Sequence, residues 1–441
     1  AVRNRTTGVL YVLDEPSIGL HPQNITGLTR VMEDLVADGN SVLLVDHDTQ
    51  ILKEADWLIE MGPQAGAQGG QVIAQGTMEA VAGDPASQIG PFLSGKAQVQ
   101  VRIPATKEEL FREGAITLTT GAIHTVKPLS VAIPKGKLTV VTGVSGSGKT
   151  TLVLESLVPG VQAAIAGHKL PGHVTALEAP GIRQVKLIDA TPIGINVRST
   201  VATYANIHDE LRKLFARGKE AKALGYKAGD FSYNTGKLRC PVCDGTGTIS
   251  LDVQFLPDVE IPCPECRGSR YSKDAGRALL RTKAGKAYSL PQLMAMDVSQ
   301  ALEACKDHAL VRQRLQVLAD LGLGYLTLGE ATPSLSGGEA QRLKLASEMG
   351  RGQSDSVFVF DEPTIGLHPL DVRTLLRVFQ TLIAQGATVV VIEHDLDVMR
   401  NADYLIDMGP GGGAEGGRVV AAGTLSDIAG CGESATGKFL R

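Results

Sequence analysis

Aromatic side chains make up only 4% of the 441 residues, and tryptophan occurs once. The cores must therefore be built mostly from aliphatic side chains. No apolar run reaches the roughly 18 residues that a membrane-crossing helix needs, so the sequence offers no membrane segment. An initiator methionine and a secretory-signal pattern are both lacking at Ala1, and the chain runs almost at once into an apolar stretch. That start reads as a cut chain. Excess charge of one sign is lacking too: 43 Lys and Arg stand against 47 Asp and Glu, a formal net charge of −4. The chain as a whole is thus no obvious polyanion binder, and local charge has to decide that question. Cysteine is scarce. Cys240, Cys243, Cys263 and Cys266 form two C-x-x-C pairs, while Cys305 and Cys431 stand alone. This is metal-site spacing rather than a secreted disulfide framework, and it predicts a reducing cytoplasm. Glycine is plentiful, with 51 residues, many of them in recognisable loops. The length predicts two to three domains.

An internal repeat organises the chain. Leu13-Asp14-Glu15-Pro16-Ser17-Ile18-Gly19-Leu20-His21-Pro22 returns 347 positions later as Phe360-Asp361-Glu362-Pro363-Thr364-Ile365-Gly366-Leu367-His368-Pro369. At the same offset Asp46-His47-Asp48 matches Glu393-His394-Asp395, and Ala74-Gln75-Gly76-Thr77 matches Ala421-Ala422-Gly423-Thr424. A gapless register of that length implies a duplicated domain. The rear copy has a long stretch of its own before Asp361 and the front copy almost none before Asp14. The front copy is therefore expected to lack its phosphate-binding half.

Periodicity and turn signals predict strands at residues 8–13, 41–45, 138–142, 357–360 and 388–392, the second of them buried. Helices are expected at 26–38, 311–321 and 339–349, with helical character beginning at 151–157. Residues 64–70 and 410–417 read as glycine-rich turns, and residues 90–104 as a linker. Strands alternating with helices make this an α/β chain with a largely parallel sheet. Four segments follow: 1–95, the end of a first copy of the duplicated domain; 96–162, the core of a second copy; 163–300, an inserted domain holding the cysteines; and 301–441, the remainder of the second copy.

Gly143-Val144-Ser145-Gly146-Ser147-Gly148-Lys149-Thr150 fits G-x-x-x-x-G-K-[ST], between an apolar strand and a helix start at Thr151. Glycines let backbone N–H groups curl around phosphate oxygens, and the helix N-terminus adds positive potential. Lys149 is expected on the β- and γ-phosphates of ATP and Thr150 on Mg²⁺. Asp361, ending an apolar strand, is expected in the Mg²⁺ shell. Glu362 is placed as general base for the attacking water, and His394 at the γ-phosphate. Asp14, Glu15 and His47 repeat this set in the front copy. Each residue alone has a bland reading, since Asp-Glu is a common loop dipeptide and a lone His is usually structural. Leu335-Ser336-Gly337-Gly338-Glu339 precedes a helix and exposes another anion seat. Such a motif resembles the signature of ATP-binding-cassette (ABC) ATPases. The resemblance implies composite sites, in which the loop at Gly143 closes on ATP against the signature of the front cassette and Ser336 serves the front phosphate loop, so this chain alone is expected to lack a complete site and to hydrolyse ATP poorly.

Cys240-x2-Cys243, 19 residues, then Cys263-x2-Cys266 is strong zinc spacing. Four thiolates imply a closed structural zinc site. The patch Cys240–Gly247 alone also resembles the zinc repeats of J-domain chaperones. The full set, however, resembles the UvrA family of bacterial nucleotide excision repair over nearly the whole chain. The specific stretches are Phe231-Ser232-Tyr233-Asn234, Phe255-Leu256-Pro257-Asp258 with Pro262-Cys263, Pro192-Ile193-Gly194, Arg198-Ser199, Ala202-Thr203-Tyr204, and the helix with Gln341, Arg342 and Lys344. The implied fold is an ABC cassette carrying an inserted zinc-binding, helical and irregular signature domain, preceded by the end of a first cassette. The implied function is a DNA-binding ATPase, part of an excinuclease in the SOS response, with ATP, Mg²⁺ and Zn²⁺ as cofactors. Damaged double-stranded DNA, a UvrB-like protein and a second copy of the chain are the implied partners.

The sequence departs from that family at Ala190, where the family carries a glutamine that senses the γ-phosphate and Mg²⁺, and at Ile195-Asn196-Val197, which lacks the expected Arg and Pro. The losses point to a diverged paralogue of the kind linked to drug self-resistance. Between residues 267 and 286, Arg267, Arg270, Lys273, Arg277, Arg281, Lys283 and Lys286 face one acid, Asp274. Beside the zinc knuckles this reads as a phosphate-binding surface with no base-reading motif, so recognition would rest on backbone and shape; its bland reading is a solvated hairpin. The alternatives are the ATPase subunit of an ABC drug-export or resistance system, and a clamp-like ABC protein acting on RNA.

Overall fold

The computed structural model describes residues 6–63, 69–194, 196–251, 259–349 and 353–441. Most of the turn expected at 64–70, Ile195 and the stretch Phe255-Leu256-Pro257-Asp258 lie outside the described residues. The chain divides into two compact units, one of residues 1–190 with 351–441 and the other of residues 191–350.

The first unit holds a six-stranded sheet in the order Arg418–Gly423, Tyr404–Gly409, Leu138–Gly143, Thr388–Ile392, Ser356–Asp361, Gln184–Ile188. All neighbours run parallel except the first pair. Strands covered on both faces read as continuous apolar runs, and every residue of Leu138–Gly143 and of Thr388–Ile392 is buried. One face packs Val141, Val359, Val390 and Met408 against Leu152, Leu157 and Val161 and against Ile116 and Leu118. The latter two come from the central strand of a three-stranded antiparallel sheet, Leu129–Pro134, Ala115–Thr120, Val174–Glu178. The expected helix start is a π-helical turn, Thr151–Leu157, continuing as the α-helix Val158–Ala166. In the helix Pro369–Ala384, Phe379 meets Phe360 with ring centroids 4.7 Å apart. Burial of rings like these contributes about 1.5–3 kcal/mol each.

The front copy repeats these pieces in part. Leu10–Asp14 pairs in parallel with Ser41–Val45, Leu58–Gly62 pairs antiparallel with Gln71–Gly76, and the helix Pro22–Ala37 follows the first strand. In the rear copy Leu138–Gly143 joins the corresponding pairs; among the described residues no strand does so in front. Ser41–Val45 was expected to be buried, yet Leu43 is 51% and Val45 50% exposed. Their apolar character suits a two-sided cover that one neighbouring strand does not supply.

Residues 90–104 are not the free linker that their irregular pattern suggested. Asn401 accepts from the Val101 amide at 2.9 Å and donates to the Val99 carbonyl at 2.6 Å. Arg102 is buried in a 2.8 Å ion pair with Asp403. Asp403 also accepts from the amides of Ala105 and Leu138, both at 2.7 Å. A buried pair is tolerated because these further hydrogen bonds satisfy the carboxylate.

In the second unit the helix Ala309–Asp320 packs against Ile207–Arg217 and Val298–Ala304, and Leu211, Phe215, Leu293 and Leu315 are fully buried. Phe231 and Tyr233 of the Phe-Ser-Tyr-Asn stretch are both fully buried. The Tyr233 hydroxyl donates to the Arg198 carbonyl at 3.0 Å, and that of Tyr271 donates to the Phe231 carbonyl at 3.0 Å. Those residue types thus fasten the base of the zinc module.

Candidate functional site

The loop at residues 143–150 follows its strand directly. Gly143 has φ +131°, and a Cβ there would overlap the Met408 carbonyl; Gly148 has φ +97°. A second glycine loop braces it: the Gly413 amide donates to the Gly146 carbonyl at 3.1 Å, and the Gly417 amide to that of Ser147 at 3.0 Å. Ser145, Gly146 and Thr150 are exposed along the loop, and Thr151 is buried. The Ser147 hydroxyl is enclosed without a hydrogen-bond partner among the described residues. The Lys149 ammonium folds back onto the carbonyls of Gly143 at 2.9 Å and Val144 at 3.1 Å. Burial lowers its pKa to about 8, against the upward pull of Glu362, Asp407 and Asp361.

Asp361 ends its strand within the electrostatic reach of that lysine. Burial, with the like charges of Glu362, Asp189 and Glu393, raises its pKa to about 6. Glu362 stands at φ +45°, a conformation non-glycine residues rarely hold without a reason. Its carboxylate lies 3.5 Å from Nε2 of His394. That hydrogen bond, helped by Lys149 and opposed by burial, holds the carboxyl below its usual range.

The front copy reproduces the pair. Glu15 has φ +44°, and its carboxylate lies 3.5 Å from Nε2 of His47. His394 is closed off, with 7% of its side chain exposed, whereas His47 has 40% exposed. Asp14 is exposed at its strand end. One cleft of about 160 Å³ is lined by both pairs together with Asp46, Asp48, Glu393 and Asp395.

Sequence reasoning missed the acids that set these loops. Glu393 Oε1 accepts from the Thr364 hydroxyl at 2.5 Å and amide at 3.0 Å. Its other oxygen accepts from the His394 amide at 2.6 Å. Asp46 does the same for Ser17 and the His47 amide. The repeat carried the signal, because both acids sit one residue before the paired histidines. His21, fully buried in the front copy, was also missed.

The Ser336 motif lies in the second unit. Ser336 caps the helix Gly337–Glu348 in a capping box: its hydroxyl accepts from the Glu339 amide at 3.3 Å, and Glu339 accepts from the Ser336 amide at 2.7 Å. Tyr325 donates to the other Glu339 oxygen at 2.6 Å. Ser336 and Gly337 are exposed, and Gly338 is half-buried. Lys344, two turns along, donates to the carbonyl and hydroxyl of Thr191.

Cys240, Cys243, Cys263 and Cys266 converge, with all four Sγ atoms within 4.8 Å of one another. Two cross-knuckle separations are 3.9 Å and 3.6 Å. A zinc tetrahedron with Zn–S of ≈2.3 Å has edges of about 3.8 Å, so this donor set fits zinc. The Gly247 amide donates to Cys243 Sγ at 3.3 Å. A side chain at Gly245 would overlap the Tyr233 carbonyl. The hairpin Thr248–Leu251 with Val259–Pro262 connects the knuckles.

The basic stretch does not form one uniform surface. Arg270 has to be removed from it: it is 6% exposed, its guanidinium lies over the Tyr233 ring at 5.3 Å, and it donates to the Val197 carbonyl at 2.9 Å. The backbone at φ +69° turns it inward behind the knuckle. Lys273 pairs with Glu265, Arg277 with Asp274, and Arg281 with Glu220. Arg267, Lys283 and Lys286 are exposed.

No protein-family model matches the chain. The UvrABC system protein A of Thermus thermophilus is 44% identical over 438 residues, 98% of this chain and 45% of that protein. The crystal structure of UvrA2 from Deinococcus radiodurans superposes with a TM-score of 0.88 at 38% identity, covering 100% of this chain and 52% of that one. An archaeal ribosome recycling factor, solved with a ribosomal stalk protein, shares the fold alone, with a TM-score of 0.51 and 18% identity over 95% of this chain and 61% of that one. The chain thus spans about half the length of these two UvrA relatives. On an identity of 44% carried along 98% of its own length, the chain belongs to the UvrA family.

Proposed function

We propose that this chain is a DNA-engaging ABC ATPase module of nucleotide excision repair, in which the state of bound nucleotide governs the hold on duplex. The observation that supports it most is the cleft where the Glu362–His394 pair and its copy Glu15–His47 come together. Among the described residues the buried Lys149 ammonium beside the rear pair hydrogen-bonds only to loop carbonyls, and a β- or γ-phosphate would offer it charged acceptors in their place. Glu362, kept ionised by His394, is suited to accept the proton of the attacking water, and His394 to steady that water and the γ-phosphate. Mg²⁺ would be held by Thr150 and Asp361 and would neutralise developing phosphate charge. Asp14, Glu15 and His47 offer the same set to a second nucleotide. Gly143, Ser145, Gly146, Ser147, Gly148 and Thr151 form the rear cradle, and Ser336, Gly337, Gly338 and Glu339 offer a helix start to a nucleotide on another phosphate loop. The four cysteines hold a structural zinc. Arg267, Lys283 and Lys286 approach phosphates of double-stranded, damaged DNA, and a UvrB-like protein and a second copy of the chain complete the assembly. Ala190 brings no amide to the nucleotide, so coupling of hydrolysis to DNA at this site is expected to be loose.

Duplex binding measured against salt, with and without Mg·ATP, tests the reading. A steep salt slope that nucleotide shifts, and that Lys149→Ala uncouples from nucleotide, supports it. Duplex affinity indifferent to both salt and nucleotide refutes it.

A further inference from the structure

His21 belongs to the front copy and has no part in the scheme above, yet it is fully buried against the rear site. Its Nδ1 accepts from the Gln23 amide at 3.2 Å, so the ring proton of the neutral form sits on Nε2. Nε2 lies 3.0 Å from the Thr436 hydroxyl, which donates its own proton to Asp407 at 2.8 Å. Ser434 donates to the second Asp407 oxygen at 2.5 Å. Burial, with His394 and Lys149 nearby, lowers the His21 pKa to about 3, so the ring remains neutral and its donor role is fixed. The ring meets His394 edge-on, centroids 5.9 Å apart at 85°, and is flanked by Phe439 at 6.0 Å. Asp407 is one of the carboxylates acting on Lys149. One imidazole from the front copy therefore reaches both arms of the rear site, the lysine side through Thr436 and Asp407 and the Glu362 side through His394.

The repeat supplies an internal comparison. His368 is the counterpart of His21, and its Nδ1 likewise accepts from the Leu370 amide at 3.2 Å. Phe92 stands edge-on to it at 6.2 Å, as Phe439 does to His21. Glu60 replaces Asp407 and accepts from Ser87 at 2.5 Å, as Asp407 does from Ser434. Ile89, however, stands where the rear copy has Thr436. His368 Nε2 is accordingly buried with no hydrogen-bond partner among the described residues.

We propose that His21 is a positioning residue for His394, locked by the Thr436 hydroxyl, and that the loss of this hydroxyl at Ile89 makes the two half-sites of the chain unequal. The inference rests on reading Glu362 and His394 as an ATP-hydrolysing pair. A ring held in one tautomer and one orientation gives His394 a fixed wall. A ring with an unsatisfied donor has no such restraint, and the His47 half-site is the less constrained of the two.

The test uses the full chain with Thr436→Val, which keeps shape and removes the hydroxyl, Thr436→Ser, which restores it, and Ile89→Thr, which supplies it to the other copy. Long-range imidazole nitrogen spectra, assigned with single His→Gln variants, report tautomers without nucleotide. Mg·ATP turnover reports kcat and KM separately. In Thr436→Val the His21 signals should leave the pure Nε2–H tautomer and the His394 signals should move with them. The kcat should fall roughly tenfold while KM stays within about twofold. Thr436→Ser should restore both readouts, and Ile89→Thr should bring His368 to a single tautomer. Unmoved His394 signals in Thr436→Val overturn the proposal, as do equal losses in the Val and Ser variants. If the chain by itself turns over little ATP, as the composite sites imply, the imidazole spectra alone decide whether His21 positions His394.

Discussion

The Glu362 carboxylate of the rear copy rests against Gly19 of the front copy: a Cβ at Gly19 would stand 2.9 Å from Oε2 of Glu362. The relation is reciprocal, since a Cβ at Gly366 would stand 3.1 Å from Oε2 of Glu15. Each general-base candidate is thus walled by the loop of the opposite copy. Gly19 has φ +66° as well, so a side chain there meets both backbone strain and the carboxylate. Gly19→Ala is expected to cost about 1–2 kcal/mol of stability and to reduce ATP turnover by more than Mg·ATP affinity. Gly27→Ala is the control. Nothing lies within 4 Å of its added Cβ, and it sits inside the helix Pro22–Ala37. It should stabilise by about 0.5–1 kcal/mol. Thermal melts with steady-state kinetics distinguish the two variants.

Lys149 carries a pH dependence whose sign is fixed. Its pKa is lowered to about 8 by burial. Phosphate binds the ammonium form, so binding above that pH requires proton uptake. Affinity for Mg·ATP should be flat between about pH 6.5 and 7.5 and fall up to about tenfold from pH 8 to 9. Titration with a fluorescent ATP analogue measures it. Lys149→Arg, which cannot lose its proton in this range, should abolish the alkaline fall even where its overall affinity is lower.

The parts of the site written as short strings were legible. The loop at 143–150, Asp361-Glu362 and the two C-x-x-C pairs each need only local geometry, and the repeat made the front Glu15 and His47 visible. Relations closing over hundreds of residues were not. His21 finds Thr436 across 415 positions, and no pattern near either one marks the partner. Arg270 was misread because counting charges assumes that every arginine points outward, whereas its turn directs it onto Tyr233. Residues 90–104 have no periodicity and so resemble a linker, yet Asn401 holds the Val101 amide and Asp403 the amide of Ala105 just beyond them. The strand Ser41–Val45 was recognised from its apolar residues, but how far it is buried depends on which strands lie beside it, and a five-residue pattern does not say that.

The zinc module and its flanking charges make separable predictions. The chain should bind one zinc by elemental analysis, and Cys240→Ala should lose it, with unfolding of the second unit at lower temperature. Lys283→Ala and Lys286→Ala should each reduce the salt slope of duplex binding by about 1 while leaving the melt unchanged. Arg270→Ala should do the reverse. Losing its contacts with Tyr233 and the Val197 carbonyl should cost about 2 kcal/mol, with no change of slope until the module unfolds. A steep loss of slope in Arg270→Ala at full stability would return that residue to the DNA-facing surface.

The cleft between the copies concentrates acid, and this predicts an alkaline weakness. Asp395 is raised to about 8, first by burial and then by the charges of Glu393 and Asp397, with Asp48 of the front copy adding to them. A carboxyl raised in the folded state is protonated there while the unfolded chain has already ionised. Its contribution is fully present below the unfolded value near 3.8 and is lost progressively as pH rises to about 8. Asp395→Asn keeps the cap on the Val398 amide, which the aspartate holds at 2.8 Å, because asparagine caps helices equally well. It removes the titration. The variant should therefore melt close to wild type at about pH 4, and its advantage should grow to several degrees by about pH 8. Melting curves over that range decide the matter, and an advantage that stays constant with pH would mean that Asp395 is ionised in the folded cleft.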